Sequence, residues 1–503
     1  MHCREANPTA DASNVQGTVY GGASRVDGGA GTGVEIVASS RSDVCSGYFV
    51  SGRGASRARW PQLSSQSHSR LALRLPGSLW NAGPVGASVL LMVLLAVVAP
   101  ALAAPALAAP APAAPAGPQM KMDAAAQHSD PLNFDPVVRE AYEYFYILDF
   151  DGALSRTEAV LKEHPQDPMA YGYVLMVTVF RELYHQDLLD TTYYAHDNFL
   201  TSKRNVPVPA ATRQRIEWLT DTGIKLCDER IKANANDKNA TFARGYIRGM
   251  HAVFITLVDH SYVAAARQGY AARNDSEAVL KLDPQYADAK MAIGIQQFAV
   301  ASLPRWVRIL VGVMGVGGNR ERGLALLREC AAHGVVTAVE SRTVLSLFLR
   351  HDAHYPEALA VQHGLAAQYP HDYLFRLEEA NLTKDEGNGP GAIALYKEVL
   401  ADAAKPGYFV DPRLQLALFG LADTQRGWND ITGAAENYQK AAKQPNCSDW
   451  LRKRAQLNAG EMYDLLHQRA KAMQLYQMAS SGGGDQSQAE AARRLMKTPY
   501  AGK

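Results

Sequence analysis

The sequence predicts an all-α fold, namely an α-solenoid of helix-turn-helix repeats about 34 residues long. Three observations support this prediction. Small residues and tyrosines return at fixed positions between residues 339 and 480, prolines stand where the second helix of a unit should end, and neither a heptad nor a strand alternation explains the same residues. One unit alone cannot bury its apolar face, so the units are expected to stack around a continuous core.

The clearest unit begins at Lys453. Its small and aromatic residues are Gly460, Tyr463, Ala472, Tyr476 and Ala479, at positions 8, 11, 20, 24 and 27. Units beginning at Gln415, Tyr373 and Val339 carry similar residues in the same register: Leu421, Ala422, Ala434, Tyr438 and Ala441; Ala380, Ala392 and Tyr396; Ser346, Ala358 and Pro370. Small residues at positions 8 and 20 allow two helices to approach closely, and aromatic residues fill the space beside them. This spacing is the tetratricopeptide pattern.

The preceding half is also predicted to be helical, with a looser period. A unit beginning at Phe134 places Ala141, Tyr144, Ala153 and Pro165 in register. Long helices are predicted over residues 169–185, 211–233, 239–266 and 287–301. The predicted N-terminal helical region therefore spans residues 130–302.

Composition indicates a foldable chain without the charge of a nucleic-acid-binding protein. Apolar residues make up 47% and charged residues 20%, and 51 Lys and Arg against 50 Asp and Glu leave a formal net charge of +1. No nucleic-acid partner is predicted, because phosphate recognition needs a basic surface. The five cysteines are far apart and form no CxxC pair, so neither a zinc site nor a disulfide framework is indicated. Cys227 and Cys330 are expected to be small buried residues.

The segment before the helical region predicts export. Residues 1–84 are expected to be disordered, and translation is expected to begin shortly before Arg70 or Arg74, so that the residues before that point are an upstream extension. Arg70 and Arg74 precede the apolar run 89–98, and a small-x-small sequence follows at residues 101–103, so residues 85–103 are predicted to be a secretory signal segment. An uncleaved anchor helix is the alternative. Residues 104–129 form an Ala/Pro-rich linker, and the protein is expected in the periplasm or outside the cell if it is bacterial.

Three further regions complete the predicted organisation. Residues 303–338 form a helical connector with a glycine-rich turn, residues 339–480 form the tetratricopeptide array, and residues 481–503 form a capping helix and tail. The turn lacks the GxxxxGK[ST] phosphate loop, and Asn319 is expected to cap the helix that follows it. Trp306, with Arg305 and Arg308 beside it, is expected to pack on the core, with an interfacial membrane helix as the alternative.

A resemblance to a known family comes from the connector and the start of the array. The order of proline, apolar helix and glycine-rich turn is followed by Asn319-Arg320-Glu321, Gly323-Leu324-Ala325-Leu326-Leu327, Tyr355-Pro356-Glu357-Ala358 and Tyr369-Pro370. This order resembles the tetratricopeptide repeat protein 39 family and its fungal inclusion-body relatives over residues 130–480. The resemblance implies an adaptor without catalysis. Those relatives lack the secretory segment predicted here.

No catalytic residue, cofactor site or metal site is predicted. His351 and His354 stand three residues apart on a turn, and a solvent-exposed pair is favoured over a metal site. The sequence contains neither HExxH nor a GxSxG elbow. An enzyme with its site among the tyrosine-rich N-terminal helices remains an alternative, and so does an envelope-associated assembly factor.

The predicted function is that of an exported, non-catalytic scaffold that binds a protein or peptide partner in a concave groove. The groove is expected to contain residues of the first helix of each unit. The polar residues predicted there are Asn381, Lys384, Asp423, Arg426, Glu461 and Asp464, and the apolar strip beside them is Leu377, Phe419 and Leu457. Burial of this strip under a neighbouring helix is the alternative. Relatives that clamp a partner's carboxylates have Lys where this chain has Leu377, so the clamp is expected to be incomplete.

Overall fold

The computed structural model describes residues 127–194, 206–303, 308, 317–482 and 485–502. Within these ranges the chain contains 17 α-helices and no β-strand. The helices are α1 (Pro136–Phe145), α2 (Phe150–Glu163), α3 (Pro168–His185), α4 (Ala210–Ala233), α5 (Lys238–Leu257), α6 (Tyr262–Leu282), α7 (Lys290–Ser302), α8 (Arg320–His333), α9 (Ala338–His351), α10 (Tyr355–Gln368), α11 (Tyr373–Asp385), α12 (Gly389–Ala403), α13 (Leu414–Gly427), α14 (Ile431–Ala442), α15 (Asp449–Leu465), α16 (Arg469–Ser480) and α17 (Gln486–Lys497).

The described helices form eight pairs, α1–α2 to α15–α16, and α17 packs on the last pair. Each pair also packs on the next along the chain. The predicted all-α fold of helix-turn-helix repeats is confirmed. Residues 320–333 of the predicted connector form α8, which packs against α7 as the second helix of the fourth pair. Asn319 caps α8 as predicted, because its side chain accepts a hydrogen bond from the Arg322 amide at 2.9 Å.

Six of the pairs share one turn geometry. The residue two places before the second helix has a positive φ, between 51° and 95°, in the pairs α1–α2, α5–α6, α9–α10, α11–α12, α13–α14 and α15–α16; these residues are Leu148, His260, Ala353, Gly387, Asn429 and His467. A left-handed residue is a common way to end a helix and reverse the chain. Only one of the six is glycine, so the residue type alone did not predict these turns.

One of these turns corrects a predicted helix. Residues 239–266 were expected to form one helix, but α5 ends at Leu257 and α6 begins at Tyr262. His260 takes a φ of 51° between them, and the Ser261 amide donates to the Ile255 carbonyl at 3.0 Å. The apolar period continues across the turn, which is why periodicity alone did not reveal it.

The residues that define the repeat form the core. Every alanine and tyrosine at positions 8, 20 and 24 of the last three units is fully buried or nearly so, as are Ala441 and Ala479. Gly460 of α15 lies against Tyr476 of α16, since a Cβ atom on Gly460 would stand 2.5 Å from the ring atom Cε1. This contact is the close helix approach that the spacing predicted.

Cys227 and Cys330 are buried as predicted, and Cys447 is buried as well. Burial raises the pKa of the Cys330 thiol to about 12, so this thiol stays protonated at neutral pH. Across the described ranges no helix combines the length and apolar character that a membrane crossing needs. The predicted signal segment, most of the linker and Trp306 lie outside the described residues.

Candidate partner-binding face

The candidate site is the surface formed by α9, α11, α13 and α15, the first helices of the last four pairs. We refer to it as the first-helix face. Residues 186–191, which follow α3, lie along this face and contact all four helices or their first turns. We refer to residues 186–191 as the resident segment. It runs opposite to the order of the repeats, from α15 at residue 186 to α9 at residue 191.

One carboxylate holds the resident segment at the α13–α15 end of the face. The Asp187 side chain accepts hydrogen bonds from Arg413 Nε at 2.8 Å, from Gln415 Nε2 at 2.7 Å and from the Ser448 amide at 2.8 Å. The Asp187 side chain is fully buried and that of Arg413 is 3% exposed. Trp450 Nε1 donates to the Gln186 carbonyl at 2.8 Å beside them. This carboxylate is therefore paired and satisfied on both oxygens, as a buried charge requires.

A second set of contacts holds the other end of the segment. Arg350 Nη1 donates to Thr191 Oγ1 at 2.7 Å and to Glu378 at 2.9 Å. Asn381 Nδ2 donates to Asp190 at 3.1 Å. Arg350 is buried, and burial opposes its charge while Glu378 and Asp385 support it. The resident segment is thus recognised through its two carboxylates and a hydroxyl group.

The departure of the resident segment from α3 has a local cause. Asp187 has a φ of 56°, and the Leu188 amide donates to the Leu183 carbonyl at 2.9 Å. This is the turn that ends a helix with a left-handed residue, and aspartate tolerates it better than most residues. After this turn residues 188–190 remain non-helical, so the chain crosses the first-helix face before α4 begins at Ala210.

The predicted apolar strip is buried. Leu377, Phe419 and Leu457 are 1%, 7% and 5% exposed, so other parts of the chain cover the strip. Leu377 lines a cavity together with Leu188 of the resident segment. Arg454 lies over the Phe419 ring at 5.0 Å. Whether these residues bind a partner stays a prediction.

Three of the predicted polar residues accept hydrogen bonds from the repeat tyrosines. Tyr396 donates to Asn381 at 2.5 Å and Tyr476 donates to Asp464 at 2.9 Å. Tyr438 donates to Asp423. Each bond joins the second helix of a pair to its first helix. These residues therefore stabilise the pairs, and only a part of each side chain is left for another contact.

The remaining predicted residues pair with charges of the same chain. Arg426 lies 3.0 Å from Glu461 and donates to the Tyr500 hydroxyl at 2.9 Å, whereas Lys384 lies 3.4 Å from Asp385. Asp464 also accepts from the Tyr500 amide at 2.8 Å. The tail after α17 thus lies against α13 and α15. Any role of the six predicted polar residues in partner binding stays a prediction.

Sequence reasoning missed the residues that hold the resident segment most firmly. Arg413 and Asp187 are 226 positions apart, and neither belongs to a local motif. In the sequence, Arg413 stands just before a repeat unit. Charged residues are common at such a position, so this placement did not single it out. A buried pair of this kind depends on tertiary packing, which the repeat register does not encode.

A further acid beside the face has a shifted pKa. Asp372 caps α11 by accepting from the Phe375 amide at 3.0 Å, and its side chain is buried. Burial raises its pKa from the ordinary 3.8 to about 7, and the backbone hydrogen bonds offset only part of that rise. At neutral pH a substantial fraction of Asp372 therefore carries a proton.

This shift predicts a stability that falls as pH rises. Between pH 3.8 and about 7 the unfolded chain has lost the Asp372 proton while the folded chain keeps it. The folded chain then binds more protons, so raising the pH favours unfolding, with a limiting slope of about 1.4 kcal/mol per pH unit for one group. Urea unfolding across this range should show the fall.

The variant Asp372→Asn tests the assignment, because asparagine keeps the helix cap but does not titrate. Its free energy of unfolding should fall less over the same pH range. Asp430→Asn is the matched control, since Asp430 caps α14 through the Gly433 amide and should leave the fall unchanged. Identical pH profiles for the parent chain and Asp372→Asn would contradict the shift.

Comparisons with known proteins gave no family and several solved structures of low similarity. No family model matches the chain, and no curated protein matches its sequence. Solved structures similar to it include yeast Tom70, with 10% identity and a TM-score of 0.35 over 75% of this chain and 92% of that one. A tetratricopeptide repeat protein from Parabacteroides merdae has 13% identity and a TM-score of 0.29 over 65% of this chain and 99% of that one.

The human IFIT1 dimer with m7Gppp-AAAA is also similar, with 10% identity and a TM-score of 0.38 over 71% of this chain and 81% of that one. These likenesses do not confirm the resemblance to the tetratricopeptide repeat protein 39 family. The tetratricopeptide type of fold itself follows from the paired helices and the buried repeat residues described above.

Proposed function

We propose that this chain is a non-catalytic scaffold that binds an extended acidic segment of a protein partner on the first-helix face. The observation that supports the proposal is the resident segment. Four consecutive first helices, or the residues that begin them, already hold residues 186–191 through two carboxylates and a hydroxyl group. A surface that recognises such a stretch in its own chain has the chemistry to recognise a similar stretch in another.

The spacing of the two carboxylates suits this role. Asp187 and Asp190 are three residues apart, a separation of about 10 Å in an extended chain. Neighbouring packed helices lie about 8 to 10 Å apart, so an extended chain brings a carboxylate to each new helix about every third residue. Side chains from different helices then read the two acids, as Arg413 and Asn381 do here. The partner sequence that fits best therefore carries two acids separated by two residues.

The resident segment is expected to compete with the partner. A covalently tethered segment has an effective concentration in the millimolar range, so a partner of equal intrinsic affinity binds only weakly. Loosening the resident segment should therefore strengthen partner binding. This direction distinguishes competition from simple loss of structure, because unfolding weakens binding instead.

The test is a binding measurement with a labelled peptide of residues 184–194 and the full chain, followed by fluorescence anisotropy. We expect Asp190→Ala to bind the peptide about fivefold more tightly than the parent chain, which corresponds to the loss of about 1 kcal/mol from the resident segment. Asp221→Ala, an exposed change on α4, is the matched control and should bind like the parent. Equal binding by all three chains would contradict the proposal.

A second peptide controls for charge. It carries asparagine in place of both aspartates and should bind at least tenfold more weakly to the Asp190→Ala chain, because charge-assisted hydrogen bonds are about twice as strong as neutral ones. If it binds as tightly as the acidic peptide, recognition of carboxylates is wrong even where the face binds peptides.

Export belongs to the same proposal and rests on the sequence of residues 70–103. N-terminal sequencing of the mature protein is expected to find a start shortly after residue 103. Recovery of any peptide from residues 1–60 in the mature protein would contradict a translation start near Arg70 or Arg74.

A further inference from the structure

A cavity of about 120 Å³ lies beneath the resident segment, between α1, α2 and α3 on one side and α9, α10 and α11 on the other. Its walls are mainly apolar. The aromatic and aliphatic residues that line it include Phe145, Phe150, Phe180, Leu188, Val344 and Leu347. An apolar cavity of about 150 Å³ in another protein admits benzene, so this one has room for about one small ring.

The charged groups that line the cavity all have the same sign. Asp190, Glu340, Asp372 and Glu378 are among the lining residues, and the described lining contains no Lys, Arg or His. Glu378 is paired from outside the lining by Arg350 at 2.9 Å, and Glu340 accepts from the Tyr146 hydroxyl at 3.0 Å. Asp372 has hydrogen bonds from the backbone, and in the described chain no basic side chain forms an ion pair with it.

An amide oxygen in the same lining has no donor. Gln362 is 1% exposed, and its Nε2 donates to the Phe375 carbonyl at 2.9 Å. Its other atom, Oε1, is buried and accepts no hydrogen bond from the described residues. Buried polar atoms are nearly always paired, so an unpaired acceptor on a cavity wall indicates a missing donor.

We propose that this cavity binds a small organic cation that consists of an apolar ring or short chain bearing a protonated amine. The ammonium group donates a hydrogen bond to Gln362 Oε1, which otherwise has no donor among the described residues. It also gives the Asp372 carboxyl group a positively charged partner. The apolar body packs on the phenylalanine and leucine walls, whose aromatic faces also attract cations. An anion of the same size is disfavoured by the carboxylates, and a neutral alcohol satisfies the acceptor but not the charge.

The raised pKa of Asp372, about 7, is consistent with this assignment. A buried carboxyl without a cation keeps its proton, and an arriving ammonium group favours the ionised form. The cavity shares Leu188 and Asp190 of the resident segment and Leu377 of α11 with the first-helix face. The inference still does not depend on partner binding, because the probe binds while the resident segment stays in place.

The experiment compares three probes that share one ring, namely benzylammonium, benzyl alcohol and benzoate, by isothermal titration calorimetry with the full chain. Benzylammonium is expected to bind at least tenfold more tightly than benzyl alcohol, and benzoate is expected not to bind. Equal affinities for the cation and the alcohol would overturn the charge assignment. Tighter binding of benzoate would overturn the proposal as a whole.

Two kinds of variant locate the bound probe. Asp372→Asn keeps the cap of α11 and should weaken benzylammonium at least tenfold, whereas Asp430→Asn, the same change at the cap of α14, should not alter its affinity. Val344→Phe fills the cavity and should abolish binding, with Thr343→Leu on the same wall as a second filling variant if the first does not fold. Binding that survives a folded filling variant would show that the cation binds elsewhere and would overturn the proposal.

Discussion

Replacing Arg413 by alanine is expected to lower the free energy of unfolding by about 3 to 5 kcal/mol, the usual cost of breaking a buried ion pair from one side. The change leaves the Asp187 carboxylate fully buried with hydrogen bonds only from Gln415 and the Ser448 amide. It also removes the donor to the His185 carbonyl at 2.9 Å. Both side chains are buried in the parent chain, so bulk solvent does not screen the pair.

Urea unfolding followed by circular dichroism measures this effect. Arg328→Ala is the matched control, because Arg328 pairs with Glu357 between side chains that are both 46% exposed. Exposed pairs of this kind contribute about 0 to 1 kcal/mol. Similar losses for the two variants would show that the Asp187 contact does not hold the resident segment in place.

The second large effect concerns two glycine-to-alanine changes that are expected to alter the free energy of unfolding in opposite directions. Gly460→Ala is expected to destabilise the chain by about 1 to 3 kcal/mol, the usual cost of overpacking. Its new Cβ would stand 2.5 Å from Tyr476, a fully buried ring whose hydroxyl is bound to Asp464. The ring is fully buried and its hydroxyl is fixed by Asp464, so we expect a backbone shift between α15 and α16 to absorb the clash.

Gly364→Ala is expected to stabilise the chain by about 0.5 to 1 kcal/mol, because alanine brings its higher helix propensity without a clash. Gly364 lies in the middle of α10, and no atom lies within 4 Å of the position that the alanine methyl group would take. Thermal and urea unfolding of the two variants and the parent chain give the comparison. A stabilising Gly460→Ala would mean that α15 and α16 are not in close contact at this residue.

The repeat register was predictable from the sequence because its cause is local. A small residue is needed wherever two helices of a pair approach, and the spacing of such residues along the chain follows from the geometry of the pair. Ala392, Tyr396, Ala434 and Tyr438 were assigned to the core on this basis, and all four are fully buried. The same reasoning identified Asn319 as a helix cap.

The candidate site was predicted less well because its cause is not local. Position in the repeat placed Leu377 and Asn381 on the first-helix face, where they lie, but it carried no information about what covers them. The covering chain comes from residues 186–191, outside the array and about 190 positions from Asn381 along the sequence. A single sequence contains no period or motif that links two such distant segments.

The distance between Asp187 and its partners along the chain also sets the order of events during synthesis. A ribosome that adds about 5 to 20 residues per second takes roughly 10 to 45 s to cover the 226 positions between Asp187 and Arg413. During that interval α3 and the segment after it are complete, but the groups that bind them do not yet exist. An array whose units contact only their neighbours folds as it emerges, whereas this chain has to keep an acidic segment available until its last units appear. Folding of the nascent chain is therefore expected to finish late and as a single step, when α13 and α15 have been synthesised and bind the Asp187 carboxylate.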